Sequence, residues 1–278
     1  MLSFVFTENF MKRSILGIIL IIGFYYICKQ HNGYLTILFL IITSGSLVEL
    51  IYLSKHRKYG YSNPPRNIYT IAFLLYFNSI YNDIIKIFKK LKRFEFLMTL
   101  SHYFYLLLMC HFILSFKKRL LKRQLLTITI VHGSSTLTSF VFNSAVKNLL
   151  KGKLIIIYPA SLVISNDIFA YFVGKSIGKT KLFKLSPNKT VEGFIGGFIS
   201  TLILSAILYY HRYIEFNMFT CFVIFFASFI APFGGFLASV IKRNFKKKDF
   251  GTLFPGHGGF LDRFDCHFLL IILINKFW

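Results

Sequence analysis

Leu154 to Gly174 reads LIIIYPASLVISNDIFAYFVG, and its reading decides the fold class. The run is apolar apart from small residues and the pair Asn166-Asp167, and about 20 such residues let a helix cross the roughly 30 Å of bilayer hydrocarbon. Comparable runs occupy Ser14–Cys28, Gly33–Leu53, Ile68–Tyr81, Phe96–Phe116, Leu125–Phe142, Gly193–Tyr210 and Met218–Ile241, with a shorter one at Cys266–Trp278. The expectation is an all-α, polytopic transmembrane bundle of about eight or nine membrane segments. The run at Ile68–Tyr81 is interrupted by Asn78 and passes into Asn82 and Asp83, so the sequence leaves open whether it spans or re-enters.

Composition agrees. Of 278 residues, 55% are hydrophobic and 19% aromatic, and only 10 Asp and Glu stand against 33 Lys and Arg. A water-soluble domain would show more charge. The net charge of +23 would suggest nucleic acid in a soluble protein, but here the cations gather between apolar runs, where they meet anionic lipid headgroups and set orientation. No nucleic-acid partner is expected. A cytoplasmic N-terminus places most of the cations inside, together with the polar stretches Lys175–Glu192 and Lys242–Asp265; Lys86, Lys89, Lys90, Lys92 and Arg93 disagree with that count. Cys28, Cys110, Cys221 and Cys266 show no paired spacing, so no disulfide framework is expected. Ser14–Cys28 lacks a small-residue cleavage site and reads as a retained signal anchor. No stretch suggests a separate soluble domain. The chain reads as one integral membrane domain, residues 1–278, with N-terminal helices over 1–150 and the chemistry over 151–278, in the loops 175–192 and 242–265.

The densest chemistry lies near the C-terminus: Ser239, Lys242-Arg243, Lys248-Asp249-Phe250-Gly251, Pro255-Gly256-His257-Gly258-Gly259, then Asp262-Arg263-Phe264-Asp265. Lys and Arg neutralise phosphate oxygens, glycines let backbone come close to them, and Asp249, Asp262 and Asp265 suit a hard cation such as Mg2+, which takes one or two carboxylates plus substrate phosphates. A basic loop that only anchors helix ends accounts for Lys246 and Lys247. It does not account for three carboxylates, a proline and three glycines around a histidine. His257 is a candidate acid, base or phosphate donor; zinc would need about four spaced ligands, more than the loose His257, Cys266, His267 cluster offers.

A second constellation starts inside the quoted run: Ser165, Asn166, Asp167, Tyr171, Gly174, Lys175, then Ser186-Pro187-Asn188-Lys189-Thr190 and Glu192-Gly193 with Gly196-Gly197. A carboxylate at membrane depth costs several kcal/mol unless paired or wet, so Asp167 is either functional or one half of a structural ion pair. The stretch Gly174 to Thr180 imitates a phosphate-binding P-loop, but Gly174 and the Gly178-Lys179-Thr180 triplet are one residue too close. Glu49, His102, His111 and His132 lie in apolar runs and read as satisfied interior groups.

Ser239 to Asp265 resembles the signature of the phosphatidate cytidylyltransferase (CDP-diacylglycerol synthase) family: Ser, two residues, Lys-Arg, four residues, Lys-Asp, then Gly, Pro, His-Gly-Gly and Asp-Arg-Phe-Asp. The block Asn166-Asp167, Ala170-Tyr171, Gly174, Leu185-Ser186-Pro187, Lys189-Thr190, Glu192-Gly193-Phe194-Ile195-Gly196-Gly197 looks like the family's other shared region, in its eukaryotic form. Ala238 departs from the acidic residue that bacterial members carry before the serine. The resemblance implies CTP and phosphatidic acid as substrates, CDP-diacylglycerol and pyrophosphate as products, Mg2+ as cofactor, and an endoplasmic reticulum protein with its site facing the cytosol. Membrane lipid is an expected partner, and a homodimer is compatible with the sequence. It implies Asp249, Asp262, Lys248 and His257 as catalytic residues, and Asp249, Asp262, Asp167 and Asp265 as metal ligands. Phosphates would be held by Lys189, Lys242, Arg243, Gly258, Gly259 and Arg263. Two other classes use similar residues: a CTP-dependent lipid kinase, which moves the terminal phosphate, and a transporter with Asp167 at membrane depth.

Overall fold

Each long apolar run closes its own backbone hydrogen bonds as a helix, the structure open to a single segment in hydrocarbon. The computed structural model describes residues 19, 22–52, 66–89, 95–114, 120–183, 186–254 and 258–277. Its elements are α1 (Asn32–Tyr52), α2 (Arg66–Ile87), α3 (Glu95–Leu114), α4 (Leu121–Lys151), α5 (Leu154–Ile177), a hairpin of β1 (Lys181–Phe183) and β2 (Ser186–Thr190), and α6 (Val191–Tyr210). Then α7 (Met218–Phe225) continues through a π-helical turn (Phe226–Ile230) into α8 (Ala231–Asn244), and α9 (Leu261–Phe277) follows. Among the described residues seven helices are long and apolar enough to cross a membrane, one of them the continuous Met218–Asn244. The protein is an integral membrane protein of helical, polytopic type. The first half of Ser14–Cys28 lies largely outside the described residues, and residues 22–29 are helical. No disulfide joins the four cysteines.

Two compact units divide the chain: residues 1–147 with 249–263, and residues 148–248 with 264–278. The Lys242–Asp265 stretch, continuous in sequence, is therefore shared between both units. In the first unit, Leu35, Leu47, Ile51, Ile71, Tyr76, Ile80 and Phe142 are fully buried. Hydrocarbon gives apolar helices little reason to associate, so polar contacts between them carry weight. Thr43 Oγ1 and Tyr76 OH meet at 2.5 Å, Ser135 Oγ donates to the Ala72 carbonyl at 3.1 Å, and Asn143 Nδ2 donates to the Ser79 carbonyl at 3.0 Å. The polar interruption read at Asn78 does not end α2: Asn78 accepts from Ser101 of α3, Asp83 pairs with Lys86, and the helix runs on to Ile87.

In the second unit Tyr158, Leu162, Val163, Val223, Ile224, Ala227, Ala231, Cys266, Leu270 and Ile274 form the core. Helices α5 and α6 approach closely because small residues line the seam: a Cβ on Gly193 would fall 2.6 Å from the Ala170 carbonyl oxygen, and one on Gly197 2.3 Å from Asn166 Oδ1. Hydroxyls stitch the same unit, Tyr158 OH to Ser205 Oγ at 3.1 Å and Thr201 Oγ1 to Ser228 Oγ at 2.6 Å. The π turn directly precedes Pro232, whose ring fits poorly against the carbonyl four residues back; the Ala231 amide reaches back five residues to Phe226 instead. The β-hairpin was not expected. Its strands pair antiparallel, Lys181 with Thr190 and Phe183 with Ser186, and strands of three and five residues are too short to show an apolar alternation.

Candidate active site

In the first unit the segment after Lys248 is organised by two carboxylates. Asp262, in the opening turn of α9, accepts through Oδ2 from the Phe250 amide at 2.8 Å and the Gly259 amide at 2.9 Å. Glu49, near the end of α1, accepts through Oε1 from the Phe260 amide at 2.8 Å and through Oε2 from the Leu261 amide at 2.9 Å. Helix N-termini leave amides without helical partners and favour anions, so these carboxylates satisfy donors that would otherwise cost energy. Glycine is required where they approach. Gly258 holds φ at +80°, and a Cβ there would fall 2.6 Å from Asp262 Oδ2; on Gly259 it would fall 2.0 Å from Glu49 Oε1. The close approach that these glycines permit is thus to the chain's own carboxylates. Asp249 is exposed, and the amide of its neighbour Phe250 ties it to Asp262. Arg263 is exposed, with its amide donating to the Phe260 carbonyl at 3.0 Å. His257 lies outside the described residues.

A second polar group sits in the second unit. Lys189, at the end of β2, places Nζ 4.1 Å from the Phe236 ring centroid. A Cβ on Gly235 would fall 3.2 Å from that Nζ and 3.6 Å from Asp265 Oδ2, so the glycine leaves room for both side chains. Asp265 precedes the apolar part of α9, is half-buried, and accepts the Cys266 amide through Oδ1 at 2.7 Å. Burial pushes its carboxyl above the usual range, against the Cys266 amide and the ammonium groups of Lys242 and Lys189, which pull it down. Asp167 lies within electrostatic reach of Cys266, as do Asp265 and Lys189. This unit therefore brings together Asp167, Lys189, Lys242 and Asp265. Arg243 and Lys248 are exposed at the end of α8 and beyond it, and Arg243 Nη1 lies 3.5 Å from the Lys247 carbonyl. Burial holds the Lys247 ammonium below its ordinary range.

Local folding explains these positions. Thr190 Oγ1 caps α6 by accepting the Gly193 amide at 3.1 Å, and Glu192 accepts the Thr180 amide at 3.1 Å, closing the hairpin that carries Lys189. Ser239 donates to the Gly235 carbonyl at 2.8 Å within its own helix. Glu49 is the satisfied interior group that its apolar run implies; what satisfies it is the glycine-rich segment itself, which no local pattern reveals. His132 is half-buried and bonded to Tyr105 OH at 3.3 Å, whereas His102 and His111 are exposed on α3 and not interior, His102 lying 2.9 Å from the Met98 carbonyl of its own helix. Among the described residues no three His, Cys, Asp or Glu side chains gather as a metal cage. Magnesium asks for less, one or two carboxylates with substrate phosphates completing its shell, and Asp262, with exposed Asp249 adjacent in sequence to the Phe250 amide it holds, offers carboxylates of that kind.

The profile of the Cytidylyltransferase family matches residues 11–278. A phosphatidate cytidylyltransferase from Encephalitozoon cuniculi (strain GB-M1) is 35% identical over 305 residues, covering 97% of this chain and 77% of that protein. Human phosphatidate cytidylyltransferase 2 is 30% identical over 330 residues, covering 97% and 74%. The Saccharomyces cerevisiae phosphatidate cytidylyltransferase is 30% identical over 331 residues, covering 97% and 72%. With a family profile matched over nearly its whole length and relatives aligned across both units, the chain belongs to the cytidylyltransferase family.

Proposed function

We propose that the protein is a phosphatidate cytidylyltransferase, converting CTP and phosphatidic acid to CDP-diacylglycerol and pyrophosphate in phospholipid biosynthesis. The observation that carries this reading is the segment from Asp249 to Arg263 in a cytidylyltransferase-family chain: the Asp262 carboxylate holds the Phe250 amide, next in sequence to exposed Asp249, beside a glycine turn at the start of a helix. In the reaction a phosphate oxygen of phosphatidic acid bonds to the α-phosphorus of CTP, and the bond from that phosphorus to the α,β-bridging oxygen breaks, releasing pyrophosphate. The nucleophile is already anionic, so no protein base is needed. What the chain must supply is position and positive charge for two polyanions that repel each other.

The residues divide accordingly. In the first unit Asp249 and Asp262 would hold Mg2+, and in the second unit Asp167 and Asp265 are the candidate carboxylates; bound magnesium supplies charge neutralisation on the phosphates. Lys189, Lys242, Arg243, Lys248 and Arg263 would hold phosphate oxygens, and His257 would donate to or position one. Asp265, within electrostatic reach of Lys189 and Lys242, would offset the repulsion between these two cations. Gly258 and Gly259 hold the turn that aims Asp262. We assign the protein to the endoplasmic reticulum with this site facing the cytosol, a reading supported by the basic stretches around residues 175–192 and 242–265.

The deciding experiment uses purified protein in detergent with phosphatidic acid, Mg2+ and CTP labelled at either the α or the γ phosphate. Label from the α position is expected in a nucleotide-bearing lipid. Label entering lipid from the γ position instead would make the protein a lipid kinase, and no labelled lipid from either would remove the reading.

A further inference from the structure

Glu49 belongs to none of the groups assigned so far. It stands on α1, far upstream in sequence, yet both its carboxylate oxygens are bonded to the segment that carries Asp262. Three further contacts surround this bond. Gly45, one helical turn before Glu49 and on the same face, makes room for the Phe260 ring: a Cβ there would fall 2.2 Å from it. A Cβ on Gly251 would fall 2.7 Å from Glu49 Oε1, and one on Gly259 2.0 Å from it. Gly45 and Glu49 thus form a socket on α1 that accepts Gly259-Phe260-Leu261, ring and backbone together. The next residue is Asp262, whose own carboxylate takes the Gly259 and Phe250 amides.

Four backbone amides, of Phe250, Gly259, Phe260 and Leu261, therefore close onto two carboxylates. The arrangement fixes both ends of the turn and the first residues of α9. We propose that Glu49 is a positioning residue: by holding the Phe260 and Leu261 amides it sets the direction from which Asp262, and through the Phe250 amide Asp249, face the substrates. The proposal rests on the reading of Asp249 and Asp262 as site carboxylates. Glu49 itself is spent on backbone donors and touches no reacting group.

The chemistry of the side chain makes the test specific. Glu49→Gln keeps length and shape but offers one acceptor oxygen in place of two, and turns an amide donor toward a backbone donor. Glu49→Ala removes the socket floor, and Gly259→Ala pushes a methyl into the Glu49 carboxylate. In purified, membrane-reconstituted protein, Glu49→Gln is expected to lower kcat about tenfold or more with KM for CTP held within about threefold, the split of a misaimed site with binding intact. Hydrogen exchange of the peptide covering residues 258–262 is expected to speed about tenfold or more. Gly259→Ala is expected to lose activity alone but to add nothing in the Glu49→Ala background, because the clash partner is gone.

Unchanged exchange in Glu49→Gln overturns the clamp. Faster exchange with unchanged kcat overturns the positioning role, as does a loss that follows only the amount of folded protein, with activity per folded molecule intact. Additive losses in the double variant overturn the Gly259 contact. A wild-type protein that forms no nucleotide-bearing lipid removes the functional reading and the catalytic half of this proposal, while the exchange measurement still decides whether the clamp exists.

Discussion

Asp262 has two duties, and substitution separates them. Its Oδ2 satisfies the Phe250 and Gly259 amides, and its negative charge suits a divalent cation. Asn keeps an acceptor oxygen and discards the charge, so Asp262→Asn should fold and still lose about a hundredfold or more of kcat, the scale of removing one electrostatic group from such a site. Asp262→Ala strands two amides as well, and should cost about 1–3 kcal/mol of stability besides. Thermal unfolding beside turnover tells the two variants apart. Exposed Asp249 should behave differently: Asp249→Asn loses turnover with no measurable shift in unfolding. Lys246 provides the contrast, since it is exposed and serves only the basic loop; Lys246→Ala should keep full turnover. At this scale the sequence was legible where the chemistry is contiguous, as it is from Lys248 to Asp265. It was not legible for Glu49, whose partners lie 211 and 212 positions away and leave no local pattern.

The helices were readable because hydrocarbon allows a lone segment one way to satisfy its backbone, and length with apolarity then suffices. The hairpin and the π turn were not, because each answers to a local need: β1 and β2 bring the chain back to cap α6, and the π turn accommodates Pro232. The glycines of α6, read with the chemistry, turn out to serve packing against α5, and this predicts where substitution hurts. Gly197→Ala places a methyl 2.3 Å from Asn166 Oδ1, with the Asn166 carbonyl oxygen also close at 3.0 Å. Such overpacking should cost about 1–3 kcal/mol, seen as a lower unfolding temperature in detergent. Thr190→Ala removes the cap of α6 and should cost about 1 kcal/mol. Because Thr190 adjoins Lys189, that variant should also raise KM; a stability loss with unchanged KM would separate the hairpin from phosphate binding.

For the molecule as a whole, the sequence presented Lys242–Asp265 as one functional block, whereas the fold assigns Asp249–Arg263 to one unit and its flanks to the other. Sequence proximity concealed this because the chain leaves the second unit after Lys248 and re-enters it at Phe264, a change with no composition signal of its own. Membrane placement can be tested inside the second unit alone. Helix α6 has 20 residues, about 30 Å at 1.5 Å per residue, long enough to bring its two ends out on opposite sides of the bilayer. At its C-terminal end Tyr209 and Tyr210, and beyond it Tyr213 and Phe216, are exposed, the aromatic dress of a membrane–water boundary. In a protein with its native cysteines replaced, Lys181→Cys and Tyr213→Cys should each react with a membrane-impermeant maleimide from one side of sealed vesicles only, and from opposite sides. The side that labels Lys181→Cys should be the side on which added CTP supports lipid product. Labelling of both from one side would mean that α6 does not span, and CTP acting from the Tyr213 side would reverse the proposed orientation.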